Sequence, residues 1–573
     1  MTSSRFVAEE LTRFWSELLG VREVEPGAEF AALGGRTQTA ARLAELIDEE
    51  LGAHVSPAEL LGAGTLEEMA SVVHAAMKAP VSAPTGPTTA GAGTGTVTSA
   101  SSADGPRPLP DDPDARPALS FAQQRLWFMQ QIDPETTLCN VPTVLRLRGT
   151  LDRAALGRAL ETVVARHKVL RTTYRASSGV PHQVIAPPAP VPLPYTDVSD
   201  TGTPEAEAQR IAAEEARQVF DLTSAPPLAA HLVRVAPDDH RLVVTFHHIA
   251  VDGTSVEIFF RELGLLYGSP DGLPAPALQY TDLAQWQRDR LTGGTLDVLV
   301  GHWRSILGDD PQVLDLPTDR PRPVAKSFRG AVADRVLPAE LVRAVRAFAR
   351  SERATVNMTH MAALYAMLAG WSGADDVTVG IPAAGRTRTE LQELIGCLIN
   401  MVPVRARLHG APGFRALVGR TRAAVLDAAD HQALPFDKLV EALVSRRGRD
   451  FMPVFRVMFS YLGERRPPVF ADLGPCALDL AGPQDTAKYD LSLYVQERGG
   501  DAVELSLEYD TDLYGPDTAS MLLAVYERTL AEAVSSPDTP VADLPAVRSI
   551  AARTPESGRT VVPGNERKTD LDR

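Results

Sequence analysis

The sequence predicts an α+β chain in three parts: a small all-α helical bundle, a flexible linker and a larger body in which strands and helices alternate. Three observations carry that reading. Phe6, Val7, Leu11, Phe14, Trp15, Leu18 and Leu19 recur at helical spacing and stop at Gly20. From about Ala79 to Arg116 the composition turns abruptly to Ala, Pro, Gly, Thr and Ser, which offers nothing to pack. Beyond Leu119, strand-like runs such as Leu242-Val243-Val244 and Leu505-Ser506-Leu507-Glu508-Tyr509 alternate with amphipathic helical stretches.

The bundle is assigned to residues 1–78. Its first helix ends at Gly20, and Leu33-Gly34-Gly35-Arg36-Thr37 turns into a second helix through Leu43 and Ile47. A last main helix runs from about Thr65 to Met77, with Glu67 and Glu68 in its first turn, where negative charge is favoured. The linker is set at 79–116 and the body begins at 117. At the far end, 544–573 is set apart as a polar tail, aperiodic from about Ser549 and expected to be disordered.

Composition narrows the function. With 573 residues, 44% of them hydrophobic, the chain can fill several cores. A formal charge of -16 without a basic stripe argues against nucleic-acid and membrane-surface roles. Cys139, Cys397 and Cys476 lie far apart without metal-like spacing, so neither a metal nor a disulfide framework is expected. Arg5, Glu9, Glu10 and Arg13 rule out a signal peptide at the start, and no apolar run is long enough to span a bilayer. The expectation is a cytoplasmic, monomeric protein.

The chemistry centres on Phe246-His247-His248-Ile249-Ala250-Val251-Asp252-Gly253, between a strand-like run and an amphipathic helix. Side chains on a strand alternate faces, so His247 and His248 cannot both enter one cavity. Thr254 followed by Glu257 matches a capping box, which makes Thr254 the expected N-cap and Gly253 the turn before it. His-His-x-x-x-Asp-Gly arises by chance on the order of once per thousand chains of this composition.

The bundle resembles a peptidyl carrier domain of nonribosomal peptide synthetases, through Trp15-Ser16-Glu17-Leu18-Leu19-Gly20-Val21, Phe30-Ala31-Ala32-Leu33-Gly34-Gly35, Ala41-Arg42-Leu43 and Thr65-Leu66. In that family a serine two past the Gly-Gly pair receives phosphopantetheine. Here Thr37 stands in its place, between Arg36 and Gln38, where the family has His or Asp and an aliphatic residue. The threonine methyl crowds a pocket built for serine, so the resemblance with its three departures implies a carrier-shaped domain that bears no arm.

The body resembles a condensation domain of the same synthetases, a member of the chloramphenicol-acetyltransferase-like superfamily. The resemblance rests on seven motifs in the family's order. They are Leu119 to Phe128, Arg166 to Tyr174, His247 to Gly253, Tyr280 to Trp286, Ile395 to Asn400, His431 to Asp437, and a weaker match from Asp450 to Phe459. It departs at Thr254 and at Cys397-Leu398, where aromatics are common. The implied fold is two α/β sandwich lobes in a V around a tunnel, the N-lobe at 117–286 and the C-lobe at 287–543.

The implied roles follow. His248 faces the tunnel and takes or holds the proton of an attacking amine; His247 is structural. Asp252 points away and pairs with an arginine, for which Arg171 is the match, and the Gly253 amide helps hold an oxyanion. Ser255 and Asn400 line the tunnel. The expected activity joins an acyl thioester, held by phosphopantetheine on a partner carrier protein, to an amine on a second carrier or a free small molecule. Ester formation with an alcohol, a non-catalytic docking module and an epimerisation domain are the alternatives. With no adenylation or thioesterase pattern following, a free-standing enzyme with carrier partners in trans is expected.

Overall fold

The computed structural model describes residues 4–552 apart from 79–104, 444–453, 480–484 and scattered positions of one or two residues. The expected disordered tail from 553 on and most of the expected flexible linker lie outside the described residues, as do the side chains of Arg36, Thr37 and Gln38.

Four helices form the bundle: α1 (Ser4–Leu19), α2 (Thr37–Leu51), α3 (Pro57–Ala63) and α4 (Leu66–Lys78). The apolar stripe of α1 meets Leu43 and Ile47 of α2 and Met69 and Val73 of α4 in one core. Trp15 packs on Phe30 with ring centroids 5.0 Å apart. The bundle rests on the body through Arg42, which donates to Thr389 Oγ1 at 2.6 Å, and an Arg353–Glu68 pair at 3.0 Å.

The body opens with α5 (Phe121–Ile132), whose N-cap Ser120 and Gln123 form a capping box. There follow β1 (Asn140–Arg148), α6 (Arg153–Arg166), the hairpin β2 (Thr172–Ser177) and β3 (Val180–Ile185), β4 (Tyr195–Asp197), α7 (Pro204–Ala216), β5 (Leu228–Ala236), β6 (Asp239–His247), α8 (Gly253–Gly268) and α9 (Tyr280–Arg290). The second half contributes α10 (Gly293–Leu307), β7 (Gly330–Val336), α11 (Ala339–Ser351), α12 (Val356–Ser372), β8 (Asp376–Ala383), β9 (Asn400–Arg407), α13 (Phe414–Asp430) and α14 (Phe436–Leu443). It closes with β10 (Val457–Leu462), β11 (Ala477–Asp479), β12 (Leu491–Glu497), β13 (Val503–Asp510), α15 (Pro516–Ser535) and α16 (Pro545–Ala551).

Two sheets organise these elements. One runs β11-β1-β6-β5-β4 and the other β7-β13-β12-β10-β8-β9. In the first, β6 sits between β1 and β5 along its whole length, antiparallel to both, and is buried on nearly every residue. That double pairing fixes where its last residue, His247, and the turn after it come to rest.

Four expectations need correction. Strand β11 pairs with β1 in the first sheet, Val144 opposite Asp479, and Phe470 and Cys476 join that lobe's core, so the lobes are not split cleanly at residue 286. A three-residue strand has no periodicity to read. Asp252, not Thr254, is the N-cap of α8, its carboxylate accepting the Ser255 N–H at 2.8 Å. The segment set aside as a tail from 544 includes α16, which buries Ala546, Val547 and Ile550; a Cβ on Gly370 of α12 would stand 2.5 Å from Val547. Pro545 suits the helix start, and packing of Val547 and Ile550 against α12 orders the rest. Finally, the linker is packed at its end: the Leu109 N–H donates to Asp282 Oδ1 at 3.0 Å.

Candidate active site

The site is the turn between β6 and α8, where the backbone leaves the sheet and α8 starts on Asp252. His247, the last residue of β6, is 1% exposed. Its Nδ1 accepts the Ile249 N–H at 3.1 Å, which leaves the proton on Nε2 to donate to Gln130 Oε1 at 3.3 Å. Burial pushes its pKa down to about 3, with the neighbouring His248 and Lys488 acting in the same direction. The expected structural role has a geometric basis.

His248 turns the other way and is partly exposed. Its N–H donates to the Cys139 carbonyl at 2.7 Å, and its Nδ1 lies 3.7 Å from Cys397 Sγ. Burial first and the Lys488 cation second lower its pKa to about 4, against the opposing pull of its own backbone and the Asp252 charge. The imidazole is neutral at neutral pH, so Nε2 is left as an acceptor when the proton is on Nδ1. The Cys397 thiol is pushed up to about 12, chiefly by burial, and stays protonated.

Asp252 does not serve His248. Its carboxylate takes both guanidinium nitrogens of Arg386, Nη1 to Oδ2 at 2.9 Å and Nη2 to Oδ1 at 3.0 Å, with side-chain exposures of 3% and 0%. It also accepts the Ser255 N–H and hydroxyl, each at 2.8 Å, and the Leu398 N–H at 2.9 Å. Five donors on one buried carboxylate make a rigid, satisfied knot. Arg171, the expected partner, instead donates to the carbonyls of Ala186 and Ala165. The partner comes from the loop just after β8, 134 residues downstream, where sequence spacing offers no guide.

Two further expectations move. Ser255 does not line a tunnel: it is 0% exposed, and its hydroxyl oxygen accepts the Gly396 N–H at 3.0 Å and lies 2.7 Å from the Gly396 carbonyl. Asn400 is a loop clamp, its Nδ2 donating to the Gln432 and Leu434 carbonyls at 2.9 and 2.7 Å and its Oδ1 accepting the Phe436 N–H at 3.0 Å. Gly253 opens α8 beside free space, since an added Cβ would meet nothing within 4 Å. Thr37 is the first residue of α2.

Sequence reasoning missed how Arg386, Cys397 and Tyr280 are brought together, and the Lys488 charge that acts on His248. The Tyr280 hydroxyl donates to the Cys397 carbonyl at 2.5 Å and shares a hydrogen bond with Ser120 Oγ at 2.8 Å. Thus the motif starting α5, the motif starting α9 and the 395–400 motif close on the same loop that carries Cys397 to His248. Each motif was visible; their convergence was not. Gly396 makes this possible, for a Cβ there would stand 1.8 Å from the Tyr280 ring. Gly396→Ala is expected to cost about 1–3 kcal/mol and lower the melting temperature, whereas Gly253→Ala, facing open space, leaves it unchanged; thermal melts of the two variants check this.

Known proteins resemble this chain in sequence and fold. Residues 116–553 match the family model "Condensation domain", and residues 9–73 match "Phosphopantetheine attachment site". Chondramide synthase cmdD of Chondromyces crocatus is 37% identical over 449 residues, covering 77% of this chain and 11% of the relative. Phosphinothricin tripeptide synthetase PhsC of Streptomyces viridochromogenes is 37% identical over 445 residues, covering 75% and 41%. The chain therefore spans less than half the length of these relatives. Among solved structures, the X-domain from teicoplanin biosynthesis, in complex with OxyB, is 30% identical with a TM-score of 0.69, covering 77% of this chain and 98% of its own. The first condensation domain of the calcium-dependent antibiotic synthetase shares the fold at 22% identity, TM-score 0.65, covering 76% and 99%.

Proposed function

The chain belongs to the condensation-domain family, and from that premise we propose that it joins an acyl or aminoacyl thioester, delivered by a carrier protein, to an amine and so forms an amide. The observation that carries this reading is the contrast inside one turn: His247 and Asp252 are locked by neighbours, while His248 is left neutral, partly exposed and held only along its Nδ1 edge.

In the reaction, the amine nitrogen attacks the thioester carbonyl carbon, the C–S bond breaks and the carrier thiol leaves. His248 Nε2 accepts or holds the amine proton, which returns to the departing sulfur. We assign the Gly253 N–H, at the start of α8, the role of favouring negative charge on the carbonyl oxygen. Asp252, Arg386 and Ser255 hold the turn, and positioning supplies much of the acceleration. Phosphopantetheine supplies the thiol on which the acyl group travels. The chain's own bundle offers Thr37 at the attachment position, and we assign it no arm. Incubation with a phosphopantetheinyl transferase and coenzyme A should leave its intact mass unchanged while a Thr37→Ser control gains the arm; modification at Thr37 would overturn this assignment.

The activity itself is tested by supplying an aminoacyl thioester on a separate carrier together with an amine, an alcohol or neither. Amide product supports the reading. Ester alone would move it to alcohol acceptors, and exchange of the α-proton with solvent deuterium without coupling would move it to epimerisation. A recruitment role is favoured by one observation, the likeness to an X-domain solved in complex with OxyB. Under that reading no condition yields product. The donor and acceptor carriers are placed in trans, and a free acceptor is equally admitted by the assay. Among the described residues, no helix is long and apolar enough to cross a membrane.

A further inference from the structure

Away from His248, three side chains converge between α10 and the end of α13. His302 Nε2 lies 3.0 Å from Asp427 Oδ2, and His431 Nδ1 lies 3.6 Å from Asp427 Oδ1. The ligand-type atoms all fall within 4.8 Å of one another, and all three side chains are partly exposed. Ligands on a tetrahedral ion with bonds of about 2.1 Å stand about 3.4 Å apart. Both separations are therefore those of neighbours around a single ion.

A second observation concerns the rings themselves. The two imidazoles lie face to face with centroids 3.3 Å apart and planes 6° from parallel. Aromatic pairs usually keep centroids about 4.5–7 Å apart and avoid the direct sandwich. Stacking alone does not draw these rings so close; convergence on one carboxylate does. His431 is further fixed by its Nδ1 at 2.8 Å from the Asp427 carbonyl and by Trp303 Nε1, which donates to the His431 carbonyl at 3.2 Å.

We propose that His302, Asp427 and His431 form a binding site for one divalent transition-metal ion of the zinc class, with water completing its shell. An ion takes the lone pair in the plane of each ring, so binding tilts the two imidazoles apart and draws His431 Nδ1 off the Asp427 carbonyl. The sequence shows no such site because 125 residues separate His302 from Asp427. Occupancy would tie α10 to α13 and stiffen the stretch that follows. There Asn400 holds the Gln432 and Leu434 carbonyls, and Asp437 stands 4.0 Å from Arg125. Two imidazoles and a carboxylate from α10, α13 and the residue that caps α13 would then act as a staple.

The test uses the full chain stripped with a chelator and titrated with Zn²⁺ by calorimetry and with Co²⁺ by visible absorption. One ion per chain is expected, with a ligand-field band for cobalt. Affinity should fall at least about tenfold in His302→Ala and in His431→Ala, and stay unchanged in His409→Ala, a surface histidine paired with Asp375. Circular dichroism checks folding, and His302→Gln replaces any variant that unfolds. No saturable binding, or binding that survives in the double variant, overturns the proposal.

Discussion

Arg386→Ala should unfold the site and much of the stability with it. The substitution leaves the Asp252 carboxylate buried without its counter-charge, a loss of about 3–5 kcal/mol. The effect spreads because Arg386 Nη2 also donates to Ser255 Oγ at 2.9 Å and the Leu394 carbonyl at 3.0 Å, so the loop carrying Gly396 and Cys397 loses its anchor. Product formation should fall to background, and the chemical denaturation midpoint should drop sharply. Arg171→Ala is the contrast. Arg171 donates to backbone carbonyls, and its loss should cost about 1 kcal/mol. Equal effects of the two substitutions would mean that Asp252 is held as the sequence alone suggested.

Acid should destabilise the fold well above the carboxylate range. His247 and His360 are each pushed down from 6.5 to about 3, chiefly by burial. Their folded pKa lies below the unfolded value, so the unfolded chain takes up protons first as pH falls. Stability is therefore full above about pH 7 and declines from near 6.5 towards 3. At about 1.4 kcal/mol per pH unit per group, the two imidazoles together remove about 4 kcal/mol by pH 5. Urea titrations at pH 7.5 and pH 5 measure this. His248, lowered to about 4, adds a similar share, so His360→Phe should remove about a third of the dependence, since Tyr526 keeps its own hydrogen bond to the backbone carbonyl of residue 360 at 3.1 Å. A flat profile in the wild type would show that water reaches these rings.

What the sequence disclosed, and what it withheld, divides along physical lines. Local patterns were legible: the stripe of α1, and a strand running into His247. That His247 and His248 do not share one cavity followed from strand alternation; which of the two works came from the family resemblance. Long-range pairing was not legible. Arg386 reaches Asp252 across 134 positions, whereas the resemblance had pointed to Arg171. Ser255 was expected to line the tunnel, but the loop carrying Gly396 covers it. Strand β11 and helix α16 escaped for a different reason. Each is too short to show a period, and only packing against β1 or α12 defines it.

His248 is proposed as the group in this turn that meets the amine proton. The direct measurement is single-turnover amide formation from a carrier-bound aminoacyl thioester, wild type against His248→Ala, with both shown to be folded. A fall of about 10²–10⁴-fold with unchanged thermal stability is the predicted result. Equal rates, or an absence of product in both, would contradict it.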